Sequence, residues 1–324
     1  MVDDSILLTP LITLLAIIWL ALFVLPASLV YFGFGLVSHL RSHLFQKKPI
    51  LLNGEANAGT YKSILITGAA NGIGRELALS YASLDTTTCL GLVDVSGKVL
   101  EKTAQEISEL FPKVQVETYT ADVTNSEEMS QLVKDFDKHG LDLVIANAGV
   151  YITPRDGTAK LTDYSEWADD VRKTMEVNYT GVINTIAPAI SLFKTRKSGH
   201  VVVTSSLSAL YGPPVLASYS ASKAAIFRFV RDLGSQLKKE NIYTTCVCPG
   251  FIDTTLTQST FQLRKGRKLP LLMTTTQAAK SIVEGIARKD ETIAFPFAVH
   301  ALCWLLHCTP PFIMNRIQRF LPES

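Results

Sequence analysis

The run Ser63–Gly74, SILITGAANGIG, constrains this chain more than any other segment. Five mainly aliphatic residues read as a buried strand. A turn with glycines at 68, 72 and 74 then passes into a helix beginning near Ile73. The alternation continues downstream. Cys89–Val93, Val114–Tyr119, Leu141–Ala146, His200–Thr204 and Ile242–Cys248 read as further strands, with helix-period stretches such as Ser96–Phe111 between them. Thr292–Phe295 is a candidate seventh strand. Strands alternating with helices imply right-handed crossovers and a parallel sheet covered on both faces. The expected fold is α/β, doubly wound, in a single domain over residues 62–290.

The 324 residues are 47% hydrophobic and only 19% charged, which excludes a disordered chain. A formal charge of +2 is too balanced for capture of a polyanion, so no nucleic acid is expected as partner. The hydrophobicity is concentrated at the ends. Ser5 to Leu40 contains no Asp, Glu, Lys or Arg, and Ile6–Leu25 is long enough to cross a ~30 Å hydrocarbon core. Residues 1–45 are therefore expected to be a membrane-anchor helix. A single span, a hairpin broken at Pro26 and a helix buried against the domain all stay open. Asp3 and Asp4 precede the run, unlike a signal peptide, while Arg41, Lys47 and Lys48 follow it and place the remainder in the cytosol. Residues 46–61, with Pro49, Gly54 and Gly59, read as a linker.

Residues 291–324 form an apolar, then amphipathic, tail. Phe297–Thr309 is too short to span and reads as an interfacial or core helix. Five scattered cysteines lack disulfide-framework spacing, and the six histidines lack ligand spacing. Free thiols and no metal are expected.

Gly68, Asn71, Gly72, Ile73 and Gly74 are the candidate cradle for a cofactor pyrophosphate. Such glycines allow a tight turn, close backbone approach and close helix packing. Asp94 ends the next strand, 20 residues past Gly74. A carboxylate there suits ribose hydroxyls and repels a 2′-phosphate. Position 71 is not basic, so NAD is expected, with NADP as the alternative.

In this order the motifs Thr67–Gly74, Asp122-Val123, Asn147-Ala148-Gly149, Asn178, Ser206, Tyr219-Ser-Ala-Ser-Lys223 and Pro249-Gly250 resemble those of the short-chain dehydrogenases/reductases, with their Rossmann-type sheet. The resemblance runs from about Lys62 to Thr255, and more loosely to about Arg288. It implies that Asp122 and Val123 hold the adenine. Asn147–Gly149 borders the cofactor, and Pro249, Gly250, Ile252 and Thr254 flank the nicotinamide. It implies a catalytic set of Asn178, Ser206, Tyr219 and Lys223, with Asn178 similar to the residue that holds a relay water. Ser205 rivals Ser206 on sequence alone; the family spacing selects Ser206. The apolar ends resemble the membrane- or lipid-droplet-bound branches, which include hydroxysteroid and retinol dehydrogenases.

Tyr219 and Lys223, four apart, share a helix face. A phenol near pKa ~10 needs help to act as a base, and a nearby ammonium favours the phenolate. Tyr219 is the expected general base for alcohol oxidation, with Ser206 on the substrate oxygen. The basic cluster Arg264, Lys265, Arg267 and Lys268 lies where such folds place a lid. Its neutral reading is a solvated loop, and its sharper one is contact with anionic headgroups.

The expected function is thus a membrane-anchored, NAD-dependent oxidoreductase of a lipophilic alcohol or ketone, such as a steroid, a retinoid or a long-chain lipid. The expected place is the endoplasmic reticulum or lipid droplet, with the catalytic domain facing the cytosol. Membrane lipid is an expected partner, and a homodimer stays open. The alternatives are an NADPH-dependent reductase of a lipid ketone such as ketosphinganine and a non-catalytic nucleotide-binding scaffold.

Overall fold

The computed structural model describes residues 61–152, 164–212, 216–260, 269, 271–310 and 313. The expected anchor, nearly all of the expected linker, the basic cluster at 264–268 and the chain beyond 313 lie outside them. The chain divides into two units, residues 50–299 and residues 1–49 with 300–324.

Seven strands form one parallel sheet: β1 (Ser63–Thr67), β2 (Cys89–Asp94), β3 (Gln115–Thr120), β4 (Leu143–Ala146), β5 (Gly199–Thr204), β6 (Ile242–Pro249) and β7 (Thr292–Phe295). Their order is β3-β2-β1-β4-β5-β6-β7. The order reverses between β1 and β4, where such sheets open a crevice beyond the strands' carboxyl ends.

The helices follow from apolar stripes. α1 (Gly72–Ala82), α2 (Gly97–Leu110) and α8 (Thr275–Ala287) cover one face. Leu77, Leu100, Ile107 and Ile282 pack there on Ile64, Ile66, Leu90 and Ile145. α3 (Ser126–Phe136), α4 (Tyr164–Met175), α5 (Gly181–Arg196) and α6 (Ala217–Leu237) make the remaining crossovers, with a π-helical turn at Glu176–Thr180 between α4 and α5. α7 (Thr255–Thr260) is short, and α9 (Phe297–His307) follows β7. Among the described residues no helix is long and apolar enough to cross a membrane.

The amino ends of the strands are clasped. Asp142 Oδ2 accepts from the N–H groups of Lys62 and Ser63 at 2.9 and 3.2 Å. Tyr61 OH lies 2.6 Å from His200 Nδ1, and His200 Nε2 lies 2.8 Å from Thr245 Oγ1. Because Thr245 donates its own proton to the Asp290 carbonyl, it must accept from Nε2–H. Nδ1 then accepts from Tyr61. Burial, aided by Lys289, pushes His200 down to about 3, so it stays neutral.

Candidate active site

One cleft at the carboxyl ends of the strands gathers the turn residues Gly68, Asn71, Gly72 and Ile73, with Asp94 beyond them. Gly68 and Gly72 have φ of +67° and +58°, where a side chain is strained. A Cβ at Gly68 would also sit 2.9 Å from Ala148 Cα. Gly74 lies outside the cleft lining, and a Cβ there would fall 2.1 Å from the Gly68 carbonyl oxygen. Gly74 therefore sets the close contact of α1 with the turn.

This cradle fits a dinucleotide. Asn71 makes no side-chain cap for α1, and the first turn carries no acidic residue. The opening N–H groups suit a phosphate. Asp94 is fixed by the N–H groups of Ala70 and Ser96, at 3.1 and 2.9 Å on separate oxygens.

Asn147, Ala148 and Gly149 line the cleft after β4. Thr67 Oγ1 accepts from the N–H groups of Asn147 and Ala148 at 3.0 and 3.1 Å. Thr204 Oγ1 donates to Asn147 Oδ1 at 3.2 Å, tying β5 to the same turn. Pro249, Gly250, Ile252 and Thr254 complete the far wall.

Ser206, Tyr219 and Lys223 meet in the same cleft. Ser206 ends β5's extension in extended backbone and accepts from the Ser208 N–H at 3.1 Å. Ser205, the rival, is buried and donates to the Lys223 carbonyl at 2.8 Å, so its hydroxyl is spent on structure. Lys223 Nζ donates to the Thr204 carbonyl at 2.9 Å and lies 5.7 Å from the centre of the Tyr219 ring.

The electrostatics differ from the sequence expectation. Burial pushes the Tyr219 phenol up to about 12, although a hydrogen bond from Ser206 pulls it the other way. Burial pushes Lys223 down to about 8. The ammonium points to a carbonyl rather than to the phenol, so desolvation outweighs its pull.

Asn178, on the π-helical turn, is fully buried and outside the cleft lining. Its Oδ1 accepts from Val150 N, and Nδ2 donates to Val150 O and Ser222 Oγ, at 2.8, 2.8 and 3.0 Å. Both amide hydrogens are committed, leaving a single Oδ1 lone pair for a water. A side chain at Gly149 would come within 3.1 Å of Lys223 Nζ and 3.2 Å of Asn178 Oδ1, so glycine keeps that gap open.

Asp122 and Val123 also lie outside the cleft lining, on the turn after β3. The cleft also includes Thr204, Thr255, Leu256 and Thr257, which sequence reasoning missed, and Ser205, which it weighed as the rival of Ser206. The run of threonines after Thr254 was the available signal: Thr257 N donates to Thr254 Oγ1 at 3.2 Å and shapes that wall.

The family model for short chain dehydrogenase matches residues 62–265. The chain is 32% identical over 241 residues to an uncharacterised oxidoreductase of Myxococcus xanthus, covering 74% of this chain and 88% of that protein. It is 30% identical over 265 residues to 17-beta-hydroxysteroid dehydrogenase 13 of Homo sapiens, covering 80% and 79% respectively. A 3-oxoacyl-[acyl-carrier protein] reductase with bound NAD from Brucella melitensis superposes with a TM-score of 0.61 at 26% identity, over 74% of this chain and 90% of that one. A Sphingobium yanoikuyae short-chain dehydrogenase in complex with NADPH shares the fold, with a TM-score of 0.65 at 20% identity, over 81% and 97%. On these matches the chain belongs to the short-chain dehydrogenases/reductases, as an NAD(P)-dependent oxidoreductase acting on CH–OH groups.

Proposed function

We propose that the protein is a membrane-anchored, NAD-dependent oxidoreductase of a lipophilic alcohol or ketone. Tyr219 is its general acid/base, and Ser206 steadies the substrate oxygen. The observation that carries this reading is the meeting of Ser206, Tyr219 and Lys223 in one cleft that also holds the glycine turn. The nicotinamide, when bound, accepts or returns the hydride. Tyr219 gives its phenol proton to the substrate oxygen during carbonyl reduction and, as the phenolate, takes the hydroxyl proton during oxidation. Lys223 orients the cofactor ribose, and Asn178 braces the lysine's surroundings through Val150 and Ser222.

Asp94 supports NAD over NADP: its carboxylate lines the cleft, and among the described lining residues Lys223 is the only Lys or Arg. The lipophilic substrate and the membrane rest on the charge-free run Ser5–Leu40, with residues 1–45 as anchor and 46–61 as linker. Residues 62–290 are then the catalytic domain, and 291–324 an apolar tail. The steroid name of the human relative agrees with such a substrate.

The test is turnover on a panel of steroid, retinoid and long-chain alcohols with NAD or NADP. Wild type should turn over at least one of them with NAD preferred, and Tyr219→Phe should lose about 10²–10⁴-fold. Equal activity of the two proteins would sink the acid/base role. A preference for NADP would sink the reading of Asp94.

A further inference from the structure

Asn184 and Gly181 touch the turn of Asp122 and Val123 from another element. Gly181 and Asn184 stand three apart at the start of α5, on one helix face. Asn184 Nδ2 donates to the carbonyls of Val123 and Thr124, at 2.9 and 3.2 Å. Both acceptors are carbonyls, so only the amide nitrogen can face them. Gly181 supplies the room: a Cβ there would sit 2.6 Å from Val123 Cγ2.

The rest of the turn is tied locally. Asp122 Oδ1 accepts from Thr124 N at 2.9 Å, and Asp122 O accepts from Asn125 N at 3.0 Å. Ala121 N donates to the Asp94 carbonyl at 3.2 Å, which links the turn to the residue at the end of β2. The two bonds to Asp122 fix the turn's shape and the bond to Asp94 pins its entry to β2, but none of these three fastens the carbonyls of Val123 and Thr124. The fastening to α5, across some sixty residues of sequence, holds that side of the turn.

We propose that Asn184 is a positioning residue for the adenine end of the cofactor, acting through the Asp122–Thr124 turn, with Gly181 as the seat for Val123. This rests on the reading of Asp122 and Val123 as the adenine contact. Its chemistry requires a donor at 184. Alanine removes the fastening, whereas aspartate sets a carboxylate against two carbonyl oxygens and repels the turn.

The experiment is calorimetric titration of the full-length protein with NAD, AMP and nicotinamide mononucleotide. Asn184→Ala should weaken AMP and NAD about tenfold and leave nicotinamide mononucleotide unchanged. Asn184→Asp should weaken AMP further. Gly181→Ala should give the same AMP-selective loss from the other side of the contact, which keeps the test open if one variant fails to fold. Unchanged AMP affinity in Asn184→Ala, beside a loss in Asp122→Ala, overturns the role of Asn184 and leaves the adenine reading standing. Unchanged AMP affinity in Asp122→Ala overturns the adenine reading and the proposal with it. Equal weakening of AMP and nicotinamide mononucleotide in the Asn184 variants marks general loosening and overturns the proposal as well.

Discussion

Lys223 shows how a single side chain is held at a cost to the fold. Its ammonium is almost wholly buried, with the Thr204 carbonyl as its named acceptor, and burial pushes it down to about 8. Charging it in the folded protein is penalised below that pH, while the unfolded chain charges it freely up to about 10.4. Near neutrality the folded state therefore carries the penalty. Lys223→Met, of similar length and no charge, should raise the unfolding midpoint at pH 7 by about 2–4 °C while abolishing turnover. A lowered midpoint in a melting scan would refute the desolvation account. Tyr219, pushed up to about 12, is protonated in the free protein and poised to give a proton. This order was not legible in the sequence. Four-residue spacing shows that Tyr219 and Lys223 share a face, but not that Lys223 reaches the Thr204 carbonyl.

At the level of elements, the sequence announced each strand of the sheet, and the differences are local. Val114 bonds to Phe111 O in a turn, which starts β3 at Gln115. Leu141 N is held by Asp137 Oδ1, and Asp142 turns its carboxylate to the N–H groups of Lys62 and Ser63 at the start of β1, so β4 begins only at Leu143. The candidate seventh strand is present at Thr292–Phe295. The π-helical turn at Asn178 left no mark in the periodicity, since one inserted residue barely disturbs an apolar stripe. Asp122 and Val123 came from the resemblance alone; their fastening to α5 needs three dimensions. The His200 chain also belongs here, because it joins β5, β6 and the start of β1. Its folded pKa is depressed, so stability is full above about 6.5 and is lost as the unfolded chain takes up a proton below it. Unfolding free energy should fall by about 1.4 kcal/mol per pH unit from His200 alone between pH 6 and 4. His200→Gln should flatten that slope in denaturant titrations, and an unchanged slope would refute the account.

For the whole molecule, the balance of charge and hydropathy is a sum of unlike parts. The mean hydropathy of +0.22 combines apolar ends with a sheet domain whose helices carry ordinary charged faces. If residues 1–45 anchor the protein, deleting them should move it from the alkaline-washed membrane pellet to the supernatant, with turnover of a water-soluble alcohol kept within about twofold. Retention in the pellet would assign attachment to another segment. The clasp at Tyr61, Asp142 and His200 also has a mechanical meaning. Tension along the preceding chain would reach β1 at its amino end and run lengthwise between β2 and β4. The ladder bonds on both flanks would share that load in shear, not open one by one like a zipper. The amino end of β1 is the reinforced end, and the cleft sits at the opposite tips of the strands.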